Sequence, residues 1–202
     1  MLPETIPIFP LPSVVLFPHV FLPLHIFEPR YRAMISDALE GDRIVGMSLL
    51  KPGWEEDYEG RPSIYAIGCA GLITHAERMG DGRVNLVLRG LEKFRVLGED
   101  TAKPYRLAHI EPLPELPCAE PATIRHERRR LETLIQGDTV SAATPPSMPD
   151  EDFINALAQY LHFDPLEKQA LLEQPGALAR CRSVIDLLEM KTLVGRRDWI
   201  RE

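Results

Sequence analysis

The chain has 202 residues, of which 45% are hydrophobic and 26% are charged, a composition typical of a globular protein and unlike that of a disordered or fibrous one. Its formal net charge of -7 and pI near 5.4 disfavour a nucleic-acid surface, because affinity for phosphates depends on clustered lysine and arginine. The densest basic run, residues 128–130, is flanked by Glu127 and Glu132, which favours a solvent-facing helix over a phosphate site.

The first 24 residues alternate short β-prone pieces with prolines. These pieces are Ile8-Phe9, residues 14–17 and Phe21-Leu22. Because proline cannot donate a hydrogen bond to a strand ladder, we expect short strands with prolines at their starts, edges or bulges. Such a run suits a closed or strongly bent sheet.

One short helix is predicted next. Pro29 suits the first helical position, and Glu28 supplies negative charge at the positive end of the helix. Apolar residues from Tyr31 to Leu39 recur at helical spacing, and Gly41 is placed to end the helix. One stripe of this helix is therefore expected to pack inward.

A series of strands is predicted after the helix. Residues 43–50 and 64–79 have strand composition, and a polar loop at 51–63 carries Trp54 and Tyr58.

A β-hairpin turn is predicted at Asp81-Gly82, which lies between apolar alternations. Further strands at 84–88, 94–97 and 105–111 bring the expected number to six or more.

The second half is predicted to be helical. Residues 112–121 contain four prolines and few core candidates, so we interpret them as a linker. We therefore expect a β-rich subdomain over 1–115 and a helical subdomain over 116–202.

Several helices are predicted in the second subdomain. The string Asp164-Pro165-Leu166-Glu167 combines a capping residue, a first-turn proline and a capping-box glutamate, which predicts a helix start. Other helices are predicted from three apolar faces: Ile124, Leu131, Leu134 and Ile135, ended by Gly137; Phe153, Leu157 and Leu161, capped by Asp150; and Leu178, Cys181, Ile185 and Leu188.

Cysteine usage and the N-terminus indicate a location. Cys69, Cys118 and Cys181 are far apart with no Cys-x-x-Cys pair, which predicts reduced thiols and neither a disulfide framework nor a zinc site. The N-terminus has no basic region typical of a signal peptide. The most apolar stretch, 14–27, contains two prolines and two histidines and falls short of the ~20 apolar residues of a membrane span. We expect a cytoplasmic protein without membrane contact.

The N-terminal residues closely resemble the opening of the N-terminal, substrate-recognition domain of Lon proteases. The strings are IPIFPL at 6–11, VLFP at 15–18 and LPLHIFEPRY at 22–31. Further matches lie at 81–83, 90, 94–96, 104–105 and 164–173. The resemblance implies an α+β fold: a PUA-like pseudo-barrel with one short inserted helix, followed by a C-terminal helical bundle.

One departure from the family lies at His19, where glycine is common after Leu-Phe-Pro. If that turn requires a positive φ, the histidine is strained or the turn differs.

The resemblance implies a stand-alone, non-catalytic module that recognises unfolded or extended polypeptide, alone or with a separate ATPase or protease. Lon proteases contain a phosphate-binding loop and a Ser-Lys protease domain, and this sequence contains no Gly-x-x-x-x-Gly-Lys-Ser/Thr motif. Its six histidines do not occur at metal-ligand spacing. We therefore expect no catalytic residue, no cofactor and no metal ion.

Two segments are candidates for polypeptide contact: the first turn of the predicted helix and the polar loop. In one interpretation they are structural, with a buried aromatic residue, locally paired arginines and a loop folded onto the body. In the other, an arginine fork and aromatic faces line a groove between the β and helical parts, and an exposed strand edge adds backbone hydrogen bonds. The candidate residues are Glu28, Arg30, Tyr31, Arg32, Trp54 and Tyr58.

Two other classes of function stay open on the sequence. PUA-like barrels elsewhere bind RNA, although the acidic charge disfavours this. A small-pocket enzyme of unknown reaction is the third alternative.

Overall fold

Six strands, with one helix inserted after the second, are followed by four more helices among the residues that the structure describes. The computed structural model describes residues 2–58, 60–118, 120–136, 145 and 147–198, without the side chains of 194–198. Within them lie six strands, five α-helices and one 3-10 turn at Trp54–Asp57, between the third and fourth strands. The strands are β1 (Thr5–Leu11), β2 (Phe21–Ile26), β3 (Ile44–Leu49), β4 (Ile67–Arg78), β5 (Val84–Asp100) and β6 (Arg106–Leu113). The helices are α1 (Pro29–Glu40), α2 (Pro121–Leu134), α3 (Asp150–Tyr160), α4 (Pro165–Leu172) and α5 (Ala177–Asp198).

The strands close into a barrel. Their order is β2-β5-β4-β3-β1-β6, and a further pairing of β5 with β6 joins the two sides of the sheet. The 17-residue β5 makes this possible, because its first part pairs with β2 and β4 and its last part pairs with β6. Five strands therefore form a ring, and β2 lies outside it as an edge strand. This confirms the predicted α+β fold with a pseudo-barrel, an inserted helix and a helical region.

Small residues shape the barrel interior around Phe94, which is fully buried. A Cβ at Gly46 would lie 2.9 Å from the Phe94 ring, and one at Gly68 would lie 2.7 Å from it. Glycine is therefore required where these two strands pass the ring. The rest of this buried cluster is aliphatic: Ile6, Ile8, Ala70, Ala108 and Ile110.

Three local predictions were wrong. Residues 14–17 are irregular and not a strand, because their apolar side chains enter the main core while the Phe17 N–H donates to Gln159 Oε1 at 3.2 Å. The segments 84–88 and 94–97 belong to one continuous strand. Asp150 does not cap α3: it is the first residue of the helix, after Pro149, and its carboxylate accepts a hydrogen bond from Arg128.

Other helical predictions had mixed outcomes. The capping box at Asp164 and Glu167 is confirmed. Leu134 was predicted to share a buried face, but it is 40% exposed. Gly137, predicted to end α2, lies outside the described residues.

A buried polar cluster joins the barrel to the helices. Arg180 on α5 is fully buried and donates to Glu115, to Asn155 Oδ1 at 2.5 Å and to the Leu171 carbonyl at 3.0 Å. Lys93 on β5 lies 3.5 Å from the Glu115 carboxylate. The proline-rich segment therefore supplies an ionic contact with both sides, which its interpretation as a plain linker did not anticipate.

Candidate functional site

The first turn of α1 and the polar loop meet in one cluster. Arg30 Nε donates to Glu28 Oε2 at 3.0 Å, and Arg30 Nη2 donates to the Tyr58 carbonyl at 3.2 Å. The Tyr58 hydroxyl donates to Glu28 Oε1 at 2.7 Å. The Glu28 carboxylate therefore binds the loop, and it makes no side-chain capping bond to α1.

Aromatic faces enclose the Arg30 guanidinium. Its central carbon lies 4.6 Å from the ring centre of Tyr31 and 5.2 Å from that of Tyr58. Tyr31 is buried and packs on Phe9 with ring centres 4.5 Å apart. Cation–π contacts of this kind hold the guanidinium in one orientation.

Trp54 extends the cluster outward on an anchored turn. Its ring meets Tyr58 edge-on with centres 5.5 Å apart. The 3-10 turn follows Gly53, whose φ of 88° favours glycine. The base of the loop is closed by a 2.8 Å hydrogen bond from Lys51 N to the Ser63 carbonyl. Trp54 and Tyr58 therefore lie on a loop whose base is closed by a backbone hydrogen bond.

A pocket of ≈ 180 Å³ opens beside this cluster, and we call it the arginine–tyrosine pocket. Its charged lining consists of Arg30, Arg61 and Arg106, and no acidic side chain lines it among the residues that the structure describes. The remaining lining is aromatic or apolar apart from Gly60: Pro10, Tyr31, Leu50, Tyr58, Pro62, Pro104 and Tyr105. The pocket therefore combines positive charge with apolar walls.

Sequence reasoning missed two of these arginines. Arg106 begins β6 and is 5% exposed; it donates to Glu99 at 3.2 Å and to the Pro62 carbonyl at 2.5 Å. Arg61 donates to the Asp100 carbonyl at 3.0 Å. Strand alternation places Arg106 on the same buried side as the apolar residues of β6, a pattern that could have identified it. Nothing in the local sequence marks Arg61.

The electrostatics of the pocket follow from burial and from crowding of like charges. Burial lowers the pKa of Arg106; Glu99 opposes this shift, while the nearby Arg61 and Arg30 add to it. Burial raises the pKa of Tyr31 to about 12, so its hydroxyl is protonated at neutral pH. Burial and the hydrogen bond to Glu28 raise the pKa of Tyr58. The pocket thus offers cationic and neutral hydrogen-bond donors.

Arg32 lies apart from the other candidates. It lines a second groove of ≈ 410 Å³ with residues of α1 and of the β4–β5 hairpin, including Arg78 and Gly82. The candidate turn was expected in a groove between the β and helical parts. This prediction was wrong for the two cavities beside the first turn of α1. The arginine–tyrosine pocket is lined by residues between 10 and 106 and the second groove by residues between 29 and 84, so both lie within the β-rich half.

The outer edge of β2 is poorly suited to pairing with another strand. The Val20 carbonyl accepts a 2.9 Å hydrogen bond from Gly90 N, so Val20 directs its carbonyl toward β5. Because every second residue of an antiparallel strand bonds to the same neighbour, the backbone groups of Phe21, Pro23 and His25 point away from β5. The Phe21 carbonyl already accepts a 2.7 Å hydrogen bond from the Tyr160 hydroxyl, and Pro23 has no N–H. Addition of a client strand at this edge is therefore disfavoured.

His19 adopts the positive φ that the sequence comparison suggested. Its φ is 65°, and its N–H donates to the Gly90 carbonyl at 2.9 Å. Its Nδ1 lies 2.6 Å from Asp152 Oδ1 on α3. This turn therefore places a histidine at a positive φ, and the histidine side chain contributes a contact with the helical half.

The basic run of α2 is largely neutralised. Arg128 was expected to face solvent, but it is only 9% exposed and binds Glu132 and Asp150 at 2.8 Å each. Arg130 binds Glu189 at 2.5 Å. These pairs leave little charge for phosphate binding on this face.

The two buried thiols of the described residues are poorly suited to nucleophilic chemistry. Burial raises the pKa values of the Cys69 and Cys181 thiols to about 12, so neither is a thiolate at neutral pH. That part of the chain holds no group of three or more His, Cys, Asp or Glu side chains arranged for a metal ion. None of its helices has the length and apolar character to cross a membrane.

Comparison with known proteins gives a consistent result. Residues 5–190 match the family of the ATP-dependent protease La (LON) substrate-binding domain. Lon protease of Dictyoglomus thermophilum is 30% identical over 195 residues, which cover 91% of this chain and 24% of that protein. Lon protease 2 of Myxococcus xanthus is 28% identical over 200 residues, covering 94% of this chain and 24% of the relative. The chain therefore spans about a quarter of the length of these relatives.

Solved structures share the fold. The N-terminal domain of Mycobacterium avium complex Lon protease gives a TM-score of 0.68 at 16% identity, covering 92% of this chain and 98% of that one. A Lon N-terminal domain protein from Xanthomonas campestris gives a TM-score of 0.61 at 22% identity, covering 90% and 97%. The predicted resemblance is confirmed.

Proposed function

The chain belongs to the family of Lon substrate-binding domains, and on that premise we propose that it is a non-catalytic module that binds extended polypeptide at the arginine–tyrosine pocket. The observation that carries the proposal is the convergence of the Trp54–Tyr58 pair and three arginines on one anchored site. Aromatic and arginine side chains dominate the binding energy of protein interfaces.

The dimensions of the site suit one residue of a chain. Its ≈ 180 Å³ is below the ~300 Å³ at which small-molecule sites begin, but a single side chain fits. The proline and tyrosine walls supply apolar contact, and the guanidinium groups supply planar donors for carbonyl oxygens. Because Glu28 and Arg30 already fix Tyr58, little side-chain entropy is lost on binding.

The wider role that we propose is delivery of the bound polypeptide to an ATP-dependent protease in the cytoplasm. Support comes from the curated relatives, which are Lon proteases in which this domain occupies 24% of the length. The proposal is the same whether the protease is carried on this chain or on a separate one, because either arrangement requires the same binding site.

The test measures binding of a fluorescent, permanently unfolded protein by anisotropy. Trp54→Ala and Tyr58→Ala are each expected to weaken binding by about tenfold or more, because each removes an aromatic contact worth at least ~1.4 kcal/mol. The matched control is Leu166→Ala, which removes a 51% exposed apolar side chain on α4 and should leave affinity unchanged.

Two results would contradict the proposal. One is the absence of binding by the unaltered protein at micromolar concentration. The other is a reversed pattern, in which Leu166→Ala loses binding and Trp54→Ala keeps it. Circular dichroism of each variant separates loss of contact from loss of fold.

A further inference from the structure

The arginine–tyrosine pocket carries more positive charge than a general polypeptide site needs. All three of its charged lining residues are arginines. The carboxylate of Glu28 contacts Arg30, and that of Glu99 contacts Arg61 and Arg106, but neither residue lines the pocket. Three guanidinium groups therefore contribute to the pocket wall, and these two carboxylates do not.

Arg61 and Arg106 carry more N–H groups than their acceptors occupy. A guanidinium has five N–H groups. Arg106 uses Nη1 for Glu99 and Nη2 for the Pro62 carbonyl, and Arg61 uses Nη1 for the Asp100 carbonyl. The protonated Tyr31 hydroxyl adds a further donor group to a residue of the pocket lining. Donor capacity is left over in a partly buried space.

We propose that this pocket binds the free C-terminal carboxylate of the client polypeptide, with Arg61 and Arg106 as the residues that receive it. The inference rests on the proposed polypeptide-binding function and adds which part of the client is recognised. A carboxylate accepts several N–H bonds in one plane, which matches the guanidinium fork. It would also bring negative charge to a pocket whose charged lining residues are all arginines.

The walls favour a chain end over an internal residue. Pro10, Pro62 and Pro104 line the cavity together with Leu50, and they leave room for one residue. A terminal residue can place its carboxylate against the arginines and its side chain against these walls. The cavity then needs no second opening through which the client chain would continue. An internal aspartate or glutamate carries the same carboxylate chemistry but must enter as a side chain.

The experiment compares three peptides of one apolar sequence by anisotropy: with a free C-terminus, with a C-terminal amide, and with the amide plus a penultimate glutamate. We expect the free acid to bind about tenfold more tightly than the amide. Arg61→Gln, whose side chain is 34% exposed and so replaceable, should abolish most of this preference. Arg32→Gln, in the separate groove, should leave it intact.

The possible failures are distinguishable. Equal affinity for acid and amide overturns the inference, and the proposed function survives if binding still depends on Trp54. If the amide peptide with the penultimate glutamate binds as tightly as the free acid, the pocket does not select the C-terminal carboxylate. That result would place a side-chain carboxylate in the site. Loss of preference in Arg32→Gln but not in Arg61→Gln overturns the choice of pocket. No binding of any peptide removes the proposed function as well.

Discussion

Replacing Glu115 with glutamine perturbs the ionic join between the barrel and the helices. Glu115 contacts Arg180, which is fully buried, and lies 3.5 Å from Lys93, whose side chain is 5% exposed. Without the carboxylate, two cations share a low-dielectric region and retain only neutral partners. For Arg180 these are Asn155 Oδ1 and the Leu171 carbonyl.

The size of the effect follows from this burial. Removing one member of a buried ion pair costs about 3–5 kcal/mol, because the other charge is left without compensation. We expect the lower end, about 3 kcal/mol, since Glu115 is 22% exposed and glutamine still accepts a hydrogen bond. With a urea m-value of about 2 kcal/mol/M, the unfolding midpoint should fall by about 1.5 M.

The assay is equilibrium urea unfolding at pH 7, followed by far-ultraviolet circular dichroism and by tryptophan fluorescence. The control is Glu111→Gln, which removes a 58% exposed carboxylate 4.0 Å from Arg95 and should cost less than about 1 kcal/mol. A loss below about 1 kcal/mol for Glu115→Gln would refute the reasoning, because it would show that neutral partners suffice for Arg180.

The same substitution has a defined pH dependence. Burial acts to raise the pKa of Glu115, but hydrogen bonds and charges from Arg180 and Lys93 outweigh it and hold the pKa below its ordinary value of 4.5. A carboxyl group with a depressed folded-state pKa stabilises above its unfolded pKa and loses that contribution as the pH falls through the folded value. The stability difference between Glu115→Gln and the unaltered protein should therefore be constant from pH 7 to about pH 5 and shrink below 4.5.

The remaining predictions concern the turn at residue 19 and the thiols. His19→Gly should be more stable than His19→Ala by about 1 kcal/mol in urea unfolding, because both lose the contact with Asp152 but only glycine relieves the positive φ of 65°; equal stabilities would show that the turn is unstrained. With an aromatic disulfide reagent at pH 8, Cys118 should react first, because burial raises the pKa values of Cys69 and Cys181 to about 12. Rapid reaction of either buried thiol in the folded protein would contradict this.

Features with a local cause could be predicted from sequence. The capping box of α4 depends on Asp164 and Glu167, which are three residues apart and satisfy each other's backbone groups. The Asp81-Gly82 turn depends on a glycine that tolerates its φ of 83°. The Arg30–Tyr58 association was only half predictable: both residues were candidates, but a contact 28 residues apart has no local pattern.

Features decided by distant partners could not be predicted. Residues 14–17 have strand composition, yet the Phe17 N–H finds its acceptor on Gln159 of the helical half. Arg61 enters the pocket because the polar loop folds back against β5 and β6, and its own neighbours in sequence give no indication of this. Asp150 has the composition of a cap, but Arg128, 22 residues away, binds its carboxylate.

Hydrogen exchange of the protein with and without a saturating unfolded client tests the central claim most directly. The account predicts slower amide exchange at 58, 60, 61 and 106, which line the arginine–tyrosine pocket, and in the adjoining 3-10 turn at 54–57. The rival apolar groove between α4 and α5, lined by Leu166 and Leu187, should exchange at an unchanged rate. Protection confined to α4 and α5, with none around the pocket, would contradict the account.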